Sequence, residues 1–280
     1  MMTTEEIKGL QLEILLQFHE YCEKNGLRYF LYAGTLLGAV RHQGFIPWDD
    51  DIDIVMPRPD YERFFQICQK DPVGPCLRAQ HYSNTEHYNA PFIKLVDTRT
   101  DGHEMHLDKN IMSGVWIDVF PLDGLPKEKA EQETYITMLQ KKIRRLELSS
   151  RPLLFCANPL RFFKRLVIYV GYHHYGYQKL AQELDQITSS SYQYENSEKV
   201  GVICFCGGQN NVVPRSIFEQ TKKLPFEGHM LNVPSDPDLY LTTLFGDYMT
   251  PPPVEQRVSL HQYTAWWKDG FEPSNSEVNE

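Results

Sequence analysis

The sequence predicts an α+β protein: a mixed β-sheet core flanked by helices, followed by a mainly helical second half. Three observations point there. Helix and strand signatures alternate in the order αβαβα over residues 4–70. Two apolar runs rich in β-branched and aromatic residues follow, at 91–100 and 113–123. Beyond residue 125 the periodicity is mostly that of helices.

The elements follow in order. Ile7, Leu10, Ile14, Leu15, Phe18, Tyr21 and Cys22 recur at spacings of three and four, so 4–25 reads as a helix. Thr3 and Glu6 have the spacing of a capping box, and Gly26 stops the helix. "RYFLYAG" (28–34) reads as a strand and "TLLGAVRH" (35–42) as a short helix beginning beside a glycine. "DIDIVMP" (51–57) is a second strand ended by prolines, and "DYERFFQICQK" (60–70) a helix. The two apolar runs are strands, and 127–150 is a long charged helix. Residues 159–192 carry one or two more helices, with Gly171 and Gly176 as breaks. The polar stretch 188–199 is a connection, and "GVICF" (201–205) a short strand. Three regions result: a core over 1–125, a mainly helical region over 126–270, and a disordered tail over 271–280.

Composition sets limits on function. The chain of 280 residues is 41% apolar and 23% charged, as soluble globular proteins are. A net charge of −9 argues against broad nucleic-acid binding, which needs a basic field. The acidic start has neither the basic region nor the apolar stretch of a signal peptide, and "LVIYVGY" (166–172) is too short to span a bilayer. Six scattered cysteines include one C-x-C pair (Cys204, Cys206), which lacks zinc-site spacing; free thiols in a reducing cytoplasm are expected. His42, His81, His87, His103, His106, His173 and His174 also lack ligand spacing.

The chemistry concentrates at "GFIPWDDDIDIVMP", which places Asp49, Asp50, Asp51 and Asp53 within five positions beside a buried strand. Crowded carboxylates repel and are costly to desolvate, so the pattern asks for a cation or for a solvated turn. Side chains alternate along a strand, so Asp51 and Asp53 project together while Ile52 and Ile54 face the core. Two such carboxylates grip a hard divalent cation and leave coordination positions for phosphate oxygens. Asp118, a lone acid in "VWIDVF", is the candidate third member from a neighbouring strand; a helix cap or a paired structural acid is its alternative. A calcium loop of the EF-hand kind does not fit, because Ile54 and Pro57 stand at its sixth and ninth positions. Gly34 permits close backbone approach, and a helix start beyond it offers N–H groups to phosphate.

A Gly-Thr turn followed by D-x-D on the next strand is the signature of the nucleotidyltransferase fold. The longer run "GTLLGAVRHQGFIPWDDDIDIVMPRPDYERF" resembles the hallmark of the LicD family, phosphotransferases that decorate bacterial cell-surface glycans. "GVWIDVFPLDGLP" (114–126) and "LFGDYMTPPPVEQR" (244–257) are similar to further family motifs; three prolines at 251–253 stand where two are usual. The resemblance covers about residues 5–262. It implies transfer of phosphocholine, or a similar alcohol phosphate, from CDP-choline or a related CDP-alcohol to a lipid-linked glycan or teichoic acid precursor. It implies Asp51, Asp53 and Asp118 as the metal-binding and catalytic acids holding one or two Mg2+ (or Mn2+) ions, with Asp118 as ligand or as base. Gly34 and Thr35 would cradle donor phosphate, and Arg41 and Lys94 are candidate phosphate contacts.

Other readings stay open. Arg41 also fits a solvated helix end, and Lys94 a salt bridge with Asp97 or another acid. Trp48, Tyr88 and Trp116 could face a quaternary ammonium, although core packing is favoured. Residues 141–165 carry eight Lys or Arg against the single acid Glu147; they form a solvated helical face or a peripheral contact with the cytoplasmic face of a membrane. Competing functions are a nucleotidyltransferase acting on a small-molecule or sugar acceptor, a glycosyltransferase using D-x-D, and a non-catalytic binding protein. Only one strand precedes the D-x-D, against the several βαβ units usual in glycosyltransferases, and the three costly acids speak against a binding protein.

Overall fold

The computed structural model describes residues 1–152, 158–173, 176–205, 211–257 and 263–271. Its elements run α1 (Thr4–Asn25), β1 (Phe30–Leu31), α2 (Ala33–His42), β2 (Asp53–Pro57), α3 (Arg58–Cys68), β3 (Leu77–Gln80), β4 (Ile93–Asp97), β5 (Thr100–Glu104) and β6 (Trp116–Leu125). Then come α4 (Lys129–Ser149), α5 (Pro159–His173), α6 (Tyr177–Ser191), β7 (Lys199–Gly201), β8 (Val213–Pro214), β9 (Thr221–Phe226), β10 (His229–Pro234), α7 (Pro237–Phe245) and β11 (Tyr263–Trp267). Cys156, Cys206, His174 and all but the first residue of the expected tail lie outside the described residues.

The central sheet has the order β1-β2-β6-β4-β3, with β7 paired to β6 and β8 to β7. It is mixed, as expected: β2 and β6 are parallel, and the other neighbours are antiparallel. Two small two-stranded sheets, β9–β10 and β5–β11, stand apart from it.

Helix α1 forms as its sequence dictates. Thr3 and Glu6 make the reciprocal capping box, and Gly26 closes the helix at φ 61°, a left-handed conformation that suits glycine. All seven residues of its apolar stripe are buried, and so is Gln11. Phe18 meets Tyr29 and Phe64 edge-on, each at 5.1 Å between ring centres. A fully buried aromatic of this kind contributes about 1.5–3 kcal/mol. A second core joins α4 to α6 through Ile136, Leu139, Ile143, Leu180 and Leu184.

Arg58, at the start of α3, is buried and doubly bridged to Asp123 of β6 at 2.6 and 2.7 Å. It also donates to Asp185 of α6 at 2.8 Å. One cation thus fastens the sheet to the helical half, and its two acids hold the guanidinium pKa well above its ordinary value despite burial.

Several elements differ from the sequence reading. The strand expected over 28–34 keeps only Phe30–Leu31, because the chain turns at Ala33 (φ 42°) and enters α2 two residues early. Gly34 and Thr35 therefore lie within the first turn of α2. The strand β2 begins at Asp53, so Asp51 precedes it. Gly176 does break the helices, as the residue before α6 at φ 76°, whereas Gly171 lies inside α5. The strand expected at 201–205 ends at Gly201. Strand β3, the hairpin β9–β10, helix α7 and strand β11 carry too little periodicity to be read from sequence. Of these, β9, β10 and β11 add strands to the mainly helical second half.

Candidate active site

The register of the sheet assembles the site. Asp53 on β2 stands opposite Asp118 on β6, and Asp118 stands opposite Lys94 on β4. These three polar residues form one row across three strands. The neighbouring row is Ile54, Val119 and Ile93, all fully buried. Alternation on every strand therefore sends the polar row one way and the aliphatic row into the core.

The acids crowd Asp53. Desolvation raises its pKa well above the ordinary carboxylate value, and the charges of Asp51, Asp118 and Asp49 raise it further in that order; Lys94 opposes them. Asp49 lies against α2: a Cβ added to Gly34 would meet its Oδ2 at 2.6 Å. The absent side chain at 34 is thus what lets the aspartate loop approach the helix start, where unsatisfied N–H groups and the helix dipole favour negative charge. The positive φ at Ala33 is backbone strain at this same turn.

Thr35 is buried and accepts a hydrogen bond from the Asp53 N–H at 2.8 Å, so it ties α2 to the first residue of β2. Gln11, from α1, donates to the carbonyls of Asp50 at 3.1 Å and Trp116 at 3.3 Å. It clamps the aspartate loop to the start of β6. Sequence reasoning missed Gln11, although an amide inside the apolar stripe of α1 was the available signal.

Lys94 is buried, pairs with Glu104 of β5 at 3.3 Å and lies 3.8 Å from the centre of the Trp116 ring. Its partner is Glu104, while Asp97 takes Arg99 at 2.6 Å. Arg41 sits at the C-terminal end of α2, roughly 10 Å along the axis from Gly34 at 1.5 Å per residue. It donates to the Tyr248 carbonyl at 2.8 Å and lies 6.0 Å from the Trp48 ring; Arg257 covers the same ring at 5.2 Å. Desolvation and then the charge of Arg257 lower the pKa of Arg41. The 244–257 motif thus packs on the loop that leads to the aspartates. Trp48 and Trp116 both carry cations of the chain itself, and Tyr88 is buried with its hydroxyl donating to the Phe92 carbonyl at 2.8 Å.

Beside Asp118 and Lys94 opens a cavity of about 200 Å³. Phe92, Trp116 and Phe205 give it an aromatic wall, and Glu104, Glu147 and Arg151 line it with charge. Among the described residues, no group of three or more His, Cys, Asp or Glu is drawn together as a metal-ligand cluster. The donor set around Asp53 is nonetheless all hard oxygen, carries excess negative charge and suits a divalent cation of the magnesium type.

Sequence comparison places this arrangement among known proteins. Residues 26–143 match the family model described as LicD/FKTN/FKRP, nucleotidyltransferase domain. The chain is 30% identical over 279 residues to the lipopolysaccharide cholinephosphotransferase LicD of Haemophilus influenzae, covering 95% of this chain and 98% of the relative. A 32-residue stretch is 56% identical to the ribitol 5-phosphate transferase FKRP of Homo sapiens, covering 11% of this chain and 6% of that protein. An uncharacterized protein of Rickettsia typhi is 49% identical over 63 residues, 22% of this chain and 20% of its own length. With a full-length relative at this identity and the aspartates aligned in one sheet row, the chain belongs to the LicD family of phosphotransferases.

Proposed function

We propose that the protein moves phosphocholine, or a similar alcohol phosphate, from a CDP-activated donor to a hydroxyl of a cell-surface glycan such as a teichoic acid precursor. CMP is released, and the reaction runs on the cytoplasmic side. The observation that carries this reading is the in-register pair Asp53–Asp118 with two further aspartates pressing on Asp53. Such crowding is costly for the fold alone and useful where a cation and a diphosphate meet.

Asp51, Asp53 and Asp118 are the residues that would hold one or two Mg2+ ions; Mn2+ offers the same chemistry. A bound metal supplies Lewis-acid polarisation of the phosphoryl group and neutralises charge on the CMP leaving group. The chain supplies the rest. Gly34 and the start of α2 present backbone N–H groups to donor phosphate, and Thr35 fixes the backbone of Asp53. Lys94 places a positive charge in the same row as Asp118. Where Asp118 serves as base rather than as ligand, its carboxylate oxygen accepts the proton of the attacking hydroxyl. The aromatic-walled cavity beside Asp118 holds the alcohol group. Residues 1–125 act as the catalytic core, and 126–270 complete the site and the acceptor surface.

Incubation with Mg2+ and a panel of CDP-alcohols, with CMP and the transferred group followed separately, tests this reading. CMP release with the alcohol phosphate on the acceptor supports it. Transfer of the nucleoside monophosphate itself would establish the nucleotidyltransferase alternative. Metal binding has its own readout, because Mg2+ should raise the melting temperature of the parent protein and not of Asp53→Asn.

A further inference from the structure

Helix α5 departs from the pattern of the other long helices. Leu160, Phe163, Val167 and Val170 are 66%, 61%, 56% and 61% exposed. At about 100° per residue these four fall in one stripe roughly 80° wide. Lys164 lies at its edge, about 40° from Leu160, while Arg161 and Arg165 lie about 100° and 140° from Leu160, on the polar face opposite the stripe; all three are exposed. Phe162, Leu166 and Tyr169, partly buried, occupy another side, and the helix packs against α4. Helix α4, against which α5 packs, carries exposed Lys141, Arg144 and Arg145 of its own, in a chain whose net charge is −9.

We infer that α5 is an interfacial helix that lays its apolar stripe into an anionic lipid bilayer. A helix of 15 residues is about 22 Å long, short of the ~30 Å hydrocarbon core, and no helix among the described residues is long and apolar enough to cross a membrane. An apolar stripe opposite a basic polar face, with a lysine at its edge, is instead the arrangement of a helix lying in the membrane plane, where long basic side chains reach toward lipid phosphates. Charge complementarity selects this occupant over a second copy. Helix α5 carries Arg161, Lys164 and Arg165 and no acid, so a contact with its own copy would bring no opposite charge to these cations, whereas an anionic surface supplies it.

Co-sedimentation of the full chain with phosphatidylcholine vesicles, with and without phosphatidylglycerol, tests the inference at low and high salt. The expected result is partition into the phosphatidylglycerol vesicles, weakened by salt. Phe163→Glu combined with Val167→Glu should lower that partition about tenfold or more with thermal unfolding unchanged. The independent variant Arg161→Glu, Lys164→Glu, Arg165→Glu keeps the stripe and should lose about fivefold per residue reversed. Absence of partition at low salt, or equal partition of parent and both variants, overturns the inference. An α5-dependent dimer in the analytical ultracentrifuge without vesicle binding also overturns it, and assigns the face to a second copy.

Discussion

Strand β6 carries two acids, five residues apart, with opposite surroundings. Asp123 is paired by both oxygens with Arg58, which also holds Asp185, so that cluster of buried charge is balanced and geometrically fixed. Asp118 lies in a row where the charges of Asp49, Asp51 and Asp118 itself converge on Asp53, opposed by the charge of Lys94. The same residue type on the same strand thus serves two ends. Balanced charge fastens elements together; on the proposed reading, the crowded acids keep a place for a cation and a phosphate. Local charge balance separates the two roles where burial does not.

The largest effects should come from breaking each cluster. If Asp53 holds the metal as proposed, Asp53→Asn should lower transfer about a thousandfold or more in a CMP-release assay. Asp123→Ala should leave Arg58 buried and half-paired, lowering stability by about 3–5 kcal/mol in chemical denaturation. The comparison predicts opposite signs. Asp53→Asn relieves crowding, so its melting temperature at neutral pH should exceed that of the metal-free parent.

The pH dependence sharpens that point. Folding raises the Asp53 pKa above its ordinary 3.8, so the unfolded chain ionises first as pH rises. Stability carried by the protonated form is present below 3.8 and is lost as pH rises through the folded-state value. Melting curves of parent and Asp53→Asn should therefore converge at acid pH and separate above it. A constant difference across that range would remove the electrostatic account.

Gly34→Ala tests the approach of the aspartate loop to α2. Its Cβ would push on Asp49, and transfer should fall about a hundredfold with little change in stability, as happens when reacting groups shift by an ångström. The smallest effect is expected from Thr35→Val, which removes the acceptor for the Asp53 N–H and should cost about 1–3 kcal/mol in denaturation.

Much of this was legible in the residues. The stripe and caps of α1, the alternation of "DIDIV" and the lone acid in "VWIDVF" each express a local rule: helical period, strand period, or the cost of a buried charge. The tethers were not legible. Gln11, Thr35 and Glu104 act through partners 39, 18 and 10 residues away, and Arg257 reaches back to Trp48. Short pieces such as β3 and the β9–β10 hairpin draw their stability from neighbours, so their own periodicity is faint.

The sequence by itself determined which residues carry charge, which faces are apolar and which family motif is present, because those are properties of side-chain chemistry and spacing. Only the tertiary structure decided that Asp53, Asp118 and Lys94 share one row. Strand register is set by pairing between segments distant along the chain, and a slip of one residue would have sent these side chains to the opposite face of the sheet.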